Sequence, residues 1–222
     1  MARYLSDVPS AHQMLTSFEV KGASQFLELN REVRIMGSHQ KLPDGMQDYT
    51  DITHPSLFVV GSDVADLGSN ALAMAKVVVC PVLLIKQRLD EGEPIKYAVA
   101  VDSTSFPAMR FVCSLMRPQD QLVLLRCVSK EAEDGLGQTS ANQRLITSFK
   151  DVALSEGVRA NAVLSVGTTL EVLPASCKSL KVNVLVMQLP KLRTFTDTVK
   201  KIIVACNSSV LLYKSDKTDR PS

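Results

Sequence analysis

Five apolar runs in the second half of the chain constrain its fold more than any other feature. They are KYAVAV (96–101), QLVLLRCV (121–128), RANAVLSV (159–166), VNVLVMQ (182–188) and SVLLYK (209–214). Dense in Val, Leu and Ile and mostly without polar alternation, they suit strands covered on both faces, as in a parallel sheet. The segments between them, 106–116, 141–156, 170–179 and 194–206, are long enough for crossover helices. In the second of these, Leu145, Phe149, Val152 and Leu154 sketch a helical face. Five strands alternating with four helices make a doubly wound α/β unit of about 120 residues, a common domain size.

The chain carries part of this unit twice. TSF at 16–18 recurs at 147–149, REVRIMG at 31–37 has the pattern of NAVLSVG at 161–167, and VLLIK at 82–86 recurs as VLLYK at 210–214. The three offsets, 131, 130 and 128, are nearly constant and keep their order, which points to a duplication. Aligned this way, the first copy has no counterpart for roughly residues 95–135, that is, for one strand, one helix and a second strand. It supplies a helix at 11–29, a strand at 33–36, a short helix near 46–52, a strand at 57–60, a helix at 70–78 and a last strand at 81–86. The expected organisation is an incomplete unit over 1–90, a complete one over 91–214 and a solvated tail over 215–222. The charged stretch QRLDEGEPI at 87–95 reads as an exposed connection.

Composition narrows the partners. With 25 Lys and Arg against 23 Asp and Glu, no basic field advertises a nucleic-acid surface. The sequence has no uninterrupted run of 18 apolar residues, and its start lacks the pattern of a signal peptide, so no membrane partner is expected and the expected location is cytoplasmic. Cys80, Cys113, Cys127, Cys177 and Cys206 are odd in number and lie in or beside apolar runs, as reduced buried thiols do. Cys80 and Cys206, before the last strand of each copy, read as core packing. His12, His39 and His54 share no metal-ligand spacing, and Asp48 and Asp51 read as the polar face of a short helix.

With these features together, both copies resemble the universal stress protein family, tandem form. In the second copy YAVAVDSTSFPAMRFVCSLMRPQDQLVLLRCVS resembles the family's opening; in the first, SLFVVGSDVADLGSNALAMAKVVVCPVLLIK resembles its ending. The resemblance implies tandem five-stranded parallel sheets of the adenine nucleotide alpha hydrolase-like type, the first lacking strand 1, helix 1 and strand 2. It also implies that the last strands pair as at the family's dimer interface, here within one chain, which leaves the flank of the first copy open to another molecule.

Family members that bind ATP or AMP place an Asp after strand 1 near the adenosine and backbone at the end of strand 2 around the base. Around the phosphates they place a loop of the form G-x2-G-x9-G-[ST]. Carried over, this makes Asp102, Ser103 and Val128 candidates in the second copy, with Lys191 and Arg193 as cations, and Gly61, Gly68 and Ser69 candidates in the first. Neither copy holds the whole set. Val64 stands where the first copy needs its second glycine, and the second copy has Gln188, Leu189 and Pro190 where backbone should approach phosphate. A composite site would require the two crevices to merge. Asp102 and Ser69 also have a plain role open to them as helix caps.

The expected function is therefore that of a non-enzymatic, pseudo-dimeric scaffold of the stress-response type without a cofactor. The alternative is an ATP- or AMP-binding protein using the crevice at Asp102.

Overall fold

The computed structural model describes residues 42–61, 69–87, 92–129, 136–190 and 196–215. The expected helix at 11–29 and strand at 33–36, with His12, His39, Val64, Gly68, Lys191, Arg193 and the tail beyond Ser215, lie outside them.

In chain order the elements are α1 (Leu42–Thr53), β1 (Phe58–Gly61), α2 (Ser69–Val77), β2 (Val82–Ile85), β3 (Lys96–Ala100), α3 (Phe106–Leu115) and β4 (Gln121–Val128). They continue with α4 (Leu136–Ser155), β5 (Ala160–Val166), α5 (Thr169–Ser179), β6 (Val184–Pro190), α6 (Asp197–Ala205) and β7 (Ser209–Ser215). Several boundaries differ from expectation, and two of them have a physical reason. The fourth helix begins five residues earlier, at Leu136 rather than 141, in a stretch where Gly137, Thr139 and Ser140 weaken the helical signal. It stops at Gly157, whose φ of +79° lets Val158 N–H reach the Ala153 carbonyl at 2.9 Å. The sixth strand runs through Pro190 instead of ending at Gln188, because Leu189 and Pro190 still face Lys214 and Ser215 of β7.

The expectation of two separate sheets is corrected: the strands of the described residues form one seven-stranded sheet, ordered β1-β2-β7-β6-β3-β4-β5. Five strands, β3 to β7, run parallel to one another, and β1 runs parallel to β2. The two groups join where β2 meets β7 antiparallel, with Leu83 opposite Leu211, Val82 opposite Leu212 and Leu84 opposite Val210. Merging removes two edges that would otherwise present unpaired backbone. It also follows the sequence repeat, since Leu83 and Leu211 are the first leucines of VLLIK and VLLYK.

Each face of the sheet carries its own core. Ala71, Ala75 and Val78 around α2, Leu173 and Cys177 of α5, and Ile202, Ile203 and Cys206 around α6 pack on one face over Val82, Leu84, Leu185, Val210 and Leu212. On the other face, Ala108, Met109 and Val112 of α3 and Phe149 and Ala153 of α4 cover Val99, Leu122, Leu124, Val186 and Leu211. Phe106 stacks on Phe149 with ring centroids 3.9 Å apart. Fully burying a side chain of this size contributes about 1.5–3 kcal/mol.

Two lysines fasten the junction. Lys86, after β2, is only 9% exposed and donates from Nζ to the Ile203 carbonyl and, at 2.6 Å, to the Cys206 carbonyl at the end of α6. Lys214, on β7, is 6% exposed and donates to the Val78 carbonyl and, at 3.2 Å, to the Lys76 carbonyl at the end of α2. The last carbonyls of a helix have no partner within it, and its C-terminus favours a cation. Each last strand thus ends in a lysine that caps the last helix of the opposite group. Burial lowers the pKa of both, Lys214 to about 8.

Candidate functional site

Open parallel sheets hold ligands at the carboxyl ends of their strands, where the order of connection reverses. Here that place lies between β3 and β6, at the start of α3. β3 leads directly into Asp102, and a tight turn follows. The Asp102 carboxylate accepts from Thr104 N–H at 2.6 Å, Thr104 Oγ1 at 2.6 Å and Ser105 Oγ at 2.9 Å. Asp102 N–H in turn donates to Ser105 Oγ at 3.1 Å. The sequence reading left Asp102 between ligand and cap; its position at the crevice is clear, and its bonds are those of the turn. Ser103 is exposed beside it.

Because Ser105 is turned toward Asp102, it does not cap α3 with its side chain, and Pro107 offers no N–H. Another donor at this helix start, Ala108 N–H, is taken by Gln188 Oε1 at 3.2 Å from the neighbouring strand β6. Gln188 therefore sits where the family's loop would begin and supplies a side-chain oxygen to a helix N-terminus that could otherwise receive an anion. Arg126 of β4 closes another side: its NH1 donates to the Val101 carbonyl at 2.9 Å and its Nε to Asn142 Oδ1 at 3.1 Å. Val128, the candidate at the end of β4, is buried, and its carbonyl accepts from Gly167 N–H at 2.8 Å. Beyond the crevice, α6 begins with its own cap, as Thr196 Oγ1 accepts from Val199 N–H at 3.3 Å, and Asp197 follows in the first turn. An acidic first turn repels phosphate.

The candidates of the first group lie elsewhere. Gly61 ends the edge strand β1, opposite Ile85 of β2, and Ser69 opens α2. Since β1 and β2 run opposite to β3, their carboxyl ends point to the other end of the sheet, and β1 stands four strands from β3, about 19 Å at the usual strand spacing. The structure does not bring Gly61 and Asp102 together. Gln188 and Arg126 were the residues that sequence reasoning missed as positioning groups. Both are long polar side chains inside otherwise apolar runs, which was the available signal. His54, Asp48 and Asp51 are exposed, on or just after α1, and among the described residues no three His, Cys, Asp or Glu cluster in a way that could hold a metal. Among the described residues, too, no helix is long and apolar enough to cross a membrane.

No family model matches the sequence, and no curated protein matches it. Solved structures do. A universal stress protein from Archaeoglobus fulgidus DSM 4304 superposes with a TM-score of 0.70 at 16% identity, covering 95% of this chain and 78% of that one. The fold is that of the universal stress proteins. A protein of unknown function from Pseudomonas aeruginosa PAO1 follows with a TM-score of 0.67 at 12% identity, covering 92% of this chain and 78% of its own. A shorter universal stress protein from Archaeoglobus fulgidus, solved in complex with dAMP, matches 54% of this chain and 98% of its own, with a TM-score of 0.48 at 13% identity. Within the universal-stress-protein fold, the crevice just described holds the position at the carboxyl end of the central strand.

Proposed function

We propose that this chain is a non-enzymatic protein of the universal-stress-protein type, a scaffold in the stress response built from two related halves that form a pseudo-dimer within one chain. Residues 1–90 are the incomplete half, 91–214 the complete one and 215–222 the tail. The observation that carries the reading is the state of the crevice. The amides of Thr104, Ala108 and Val199, which an incoming phosphate would need, are already bonded to Asp102, Gln188 and Thr196. A phosphate binding at these amides would have to displace a carboxylate, an amide oxygen and a hydroxyl. The junction is built in the opposite sense, with each half completing a helix end of the other. With the last strands β2 and β7 paired to each other, its working surface is then the outer edge of the described sheet at β1, which suits protein partners or self-association. The expected location is the cytoplasm.

Acid extraction of the purified protein, followed by adenine absorbance and mass analysis, tests this together with titration calorimetry using Mg-ATP and AMP. The scaffold reading expects no extracted nucleotide and no saturable heat. Bound adenine nucleotide, or saturable binding that Asp102→Ala abolishes, would overturn it.

A second reading, ATP or AMP held beside Asp102, is favoured by the crevice's location at the carboxyl ends of parallel strands and by the exposure of Asp102 and Ser103. It would use Lys191 as a phosphate partner, and it expects Gln188→Gly to tighten binding by freeing the Ala108 amide. Unchanged or weaker binding in that variant would count against it.

A further inference from the structure

We propose that the face of β1 and β2 around Val59, Leu83 and Ile85 is a docking surface for this chain's own residues 11–29, which seat on it as an amphipathic helix in the place that α3 holds on β6 and β7. The inference rests on the repeat reading of residues 1–90 and adds what borders the working edge at β1.

The two strand pairs can be compared residue by residue. Leu83 answers to Leu211 in the VLLIK and VLLYK repeat, and Ile85 to Tyr213. Val59 stands beside Leu83 as Val186 stands beside Leu211, so Val59 answers to Val186. Val186 and Leu211 are 0% and 1% exposed, in the core that Met109 and Val112 of α3 complete. Val59 is 50% exposed, and Leu83 and Ile85 are only half-buried. Alternation along β2 puts Leu83 and Ile85 on one face, that of the same core. Among the described residues, α2 packs on the opposite face, with Val60, Val82 and Leu84. On the Val59 side α3 stands over β6 and β7, where Phe111 meets Tyr213 with ring centroids 5.3 Å apart.

The occupant follows from what the repeat leaves over. TSF at 16–18 recurs in α4 at 147–149, which pairs Phe18 with Phe149, a fully buried ring on this side of the sheet. In the five-stranded group α4 packs on β4 and β5. Aligned by the repeat, residues 1–90 have no counterpart of β4 or of α3. Residues 11–29 thus keep the sequence of a covering helix without its usual strand, and β1 and β2 are strands without their usual helix. At about 100° per residue, Leu15, Phe18, Phe26 and Leu29 fall within roughly 80° of one another, an apolar stripe that suits such a seat. Residues 30–41 join the segment to α1 and span up to about 40 Å, so it docks from a tether at high effective concentration.

Hydrogen exchange on the full chain reads the docking. The amides of 11–29 should exchange at least about tenfold more slowly than in an unprotected chain. Val59→Glu, a change at the sheet surface, should speed them at least about tenfold while β3 to β7 keep their wild-type protection. Exchange of 11–29 at the unprotected rate in the wild type, or protection that Val59→Glu leaves unchanged, would overturn the proposal. Replacing Val59 by the photoreactive p-benzoylphenylalanine gives a second reading, in which irradiation should join position 59 to peptides of residues 11–29 of the same molecule. Cross-links to a second copy in mixed isotope-labelled protein, to a co-purified protein, or to no part of 11–29 would also overturn it. None of these readouts involves nucleotide, so failure here is distinguishable from failure of the scaffold reading, which the extraction and calorimetry decide.

Discussion

The junction between β2 and β7 and the crevice at β3 and β6 are both places where the two strand groups can be compared, and they differ. At the junction the groups match. Leu83 faces Leu211, and Lys86 caps α6 as Lys214 caps α2. At the ends of the strands that precede the last helices they do not match: β1 ends in Gly61 at an edge, whereas β6 ends in Gln188, Leu189 and Pro190, with Gln188 bonded to α3. Sequence that is alike in both groups lies where β2 pairs with β7. Sequence that differs lies at the strand ends, where Gln188 serves the start of α3.

The largest break in this comparison comes from the centre of the junction. Leu211 is 1% exposed and stands opposite Leu83, so Leu211→Asp buries an unpaired carboxylate. Loss of a cooperative urea transition is the expected outcome, a destabilisation above about 4 kcal/mol.

Next in size is Lys214→Ala, which strips the Lys76 and Val78 carbonyls of their donor and removes a packed stem. Its cost should be about 2–4 kcal/mol in urea unfolding. The sign of its pH dependence follows from the direction of the shift. Burial lowers the folded pKa of Lys214 to about 8 from an ordinary 10.5, so between those values the unfolded chain binds more protons at this site and stability rises with pH. The gap between wild type and Lys214→Ala should therefore widen from pH 8 to pH 10.5, and a gap that narrows over this range would contradict the assignment.

The crevice should respond more mildly. Asp102→Ala frees the Thr104 amide and both neighbouring hydroxyls in an exposed turn, at a cost of about 1 kcal/mol read from the thermal midpoint. Smaller or equal is Thr168→Ala. Thr168 Oγ1 accepts from Glu171 N–H at 3.4 Å and donates to Glu171 Oε2 at 2.8 Å, an N-cap worth about 0.5–1 kcal/mol. A loss at Asp102 as large as that at Lys214 would show that the crevice turn, and not the junction, governs stability.

Much of the fold was legible because the apolar runs mark every strand of the five-stranded parallel group, and the shared VLLIK and VLLYK mark where the two groups meet. Period and composition cannot show that two strand groups share one sheet; that depends on the antiparallel register of β2 on β7, a contact between residues more than a hundred apart. The lysines at the ends of those runs were visible, yet a terminal Lys reads as solvent-facing until a helix end is placed above it. At the crevice, the sequence places Asp102 after a strand and leaves its role open between ligand contact and helix cap. The bond from Ala108 to Gln188 is not legible there, since it spans 80 residues and depends on the strand order.

Urea unfolding of Lys86→Ala and Lys214→Ala, side by side at one pH, tests the central claim most directly. If each last strand caps the other half's helix, the two variants lose stability by similar amounts in single cooperative transitions. A variant at either position that unfolds with the wild-type midpoint would contradict it.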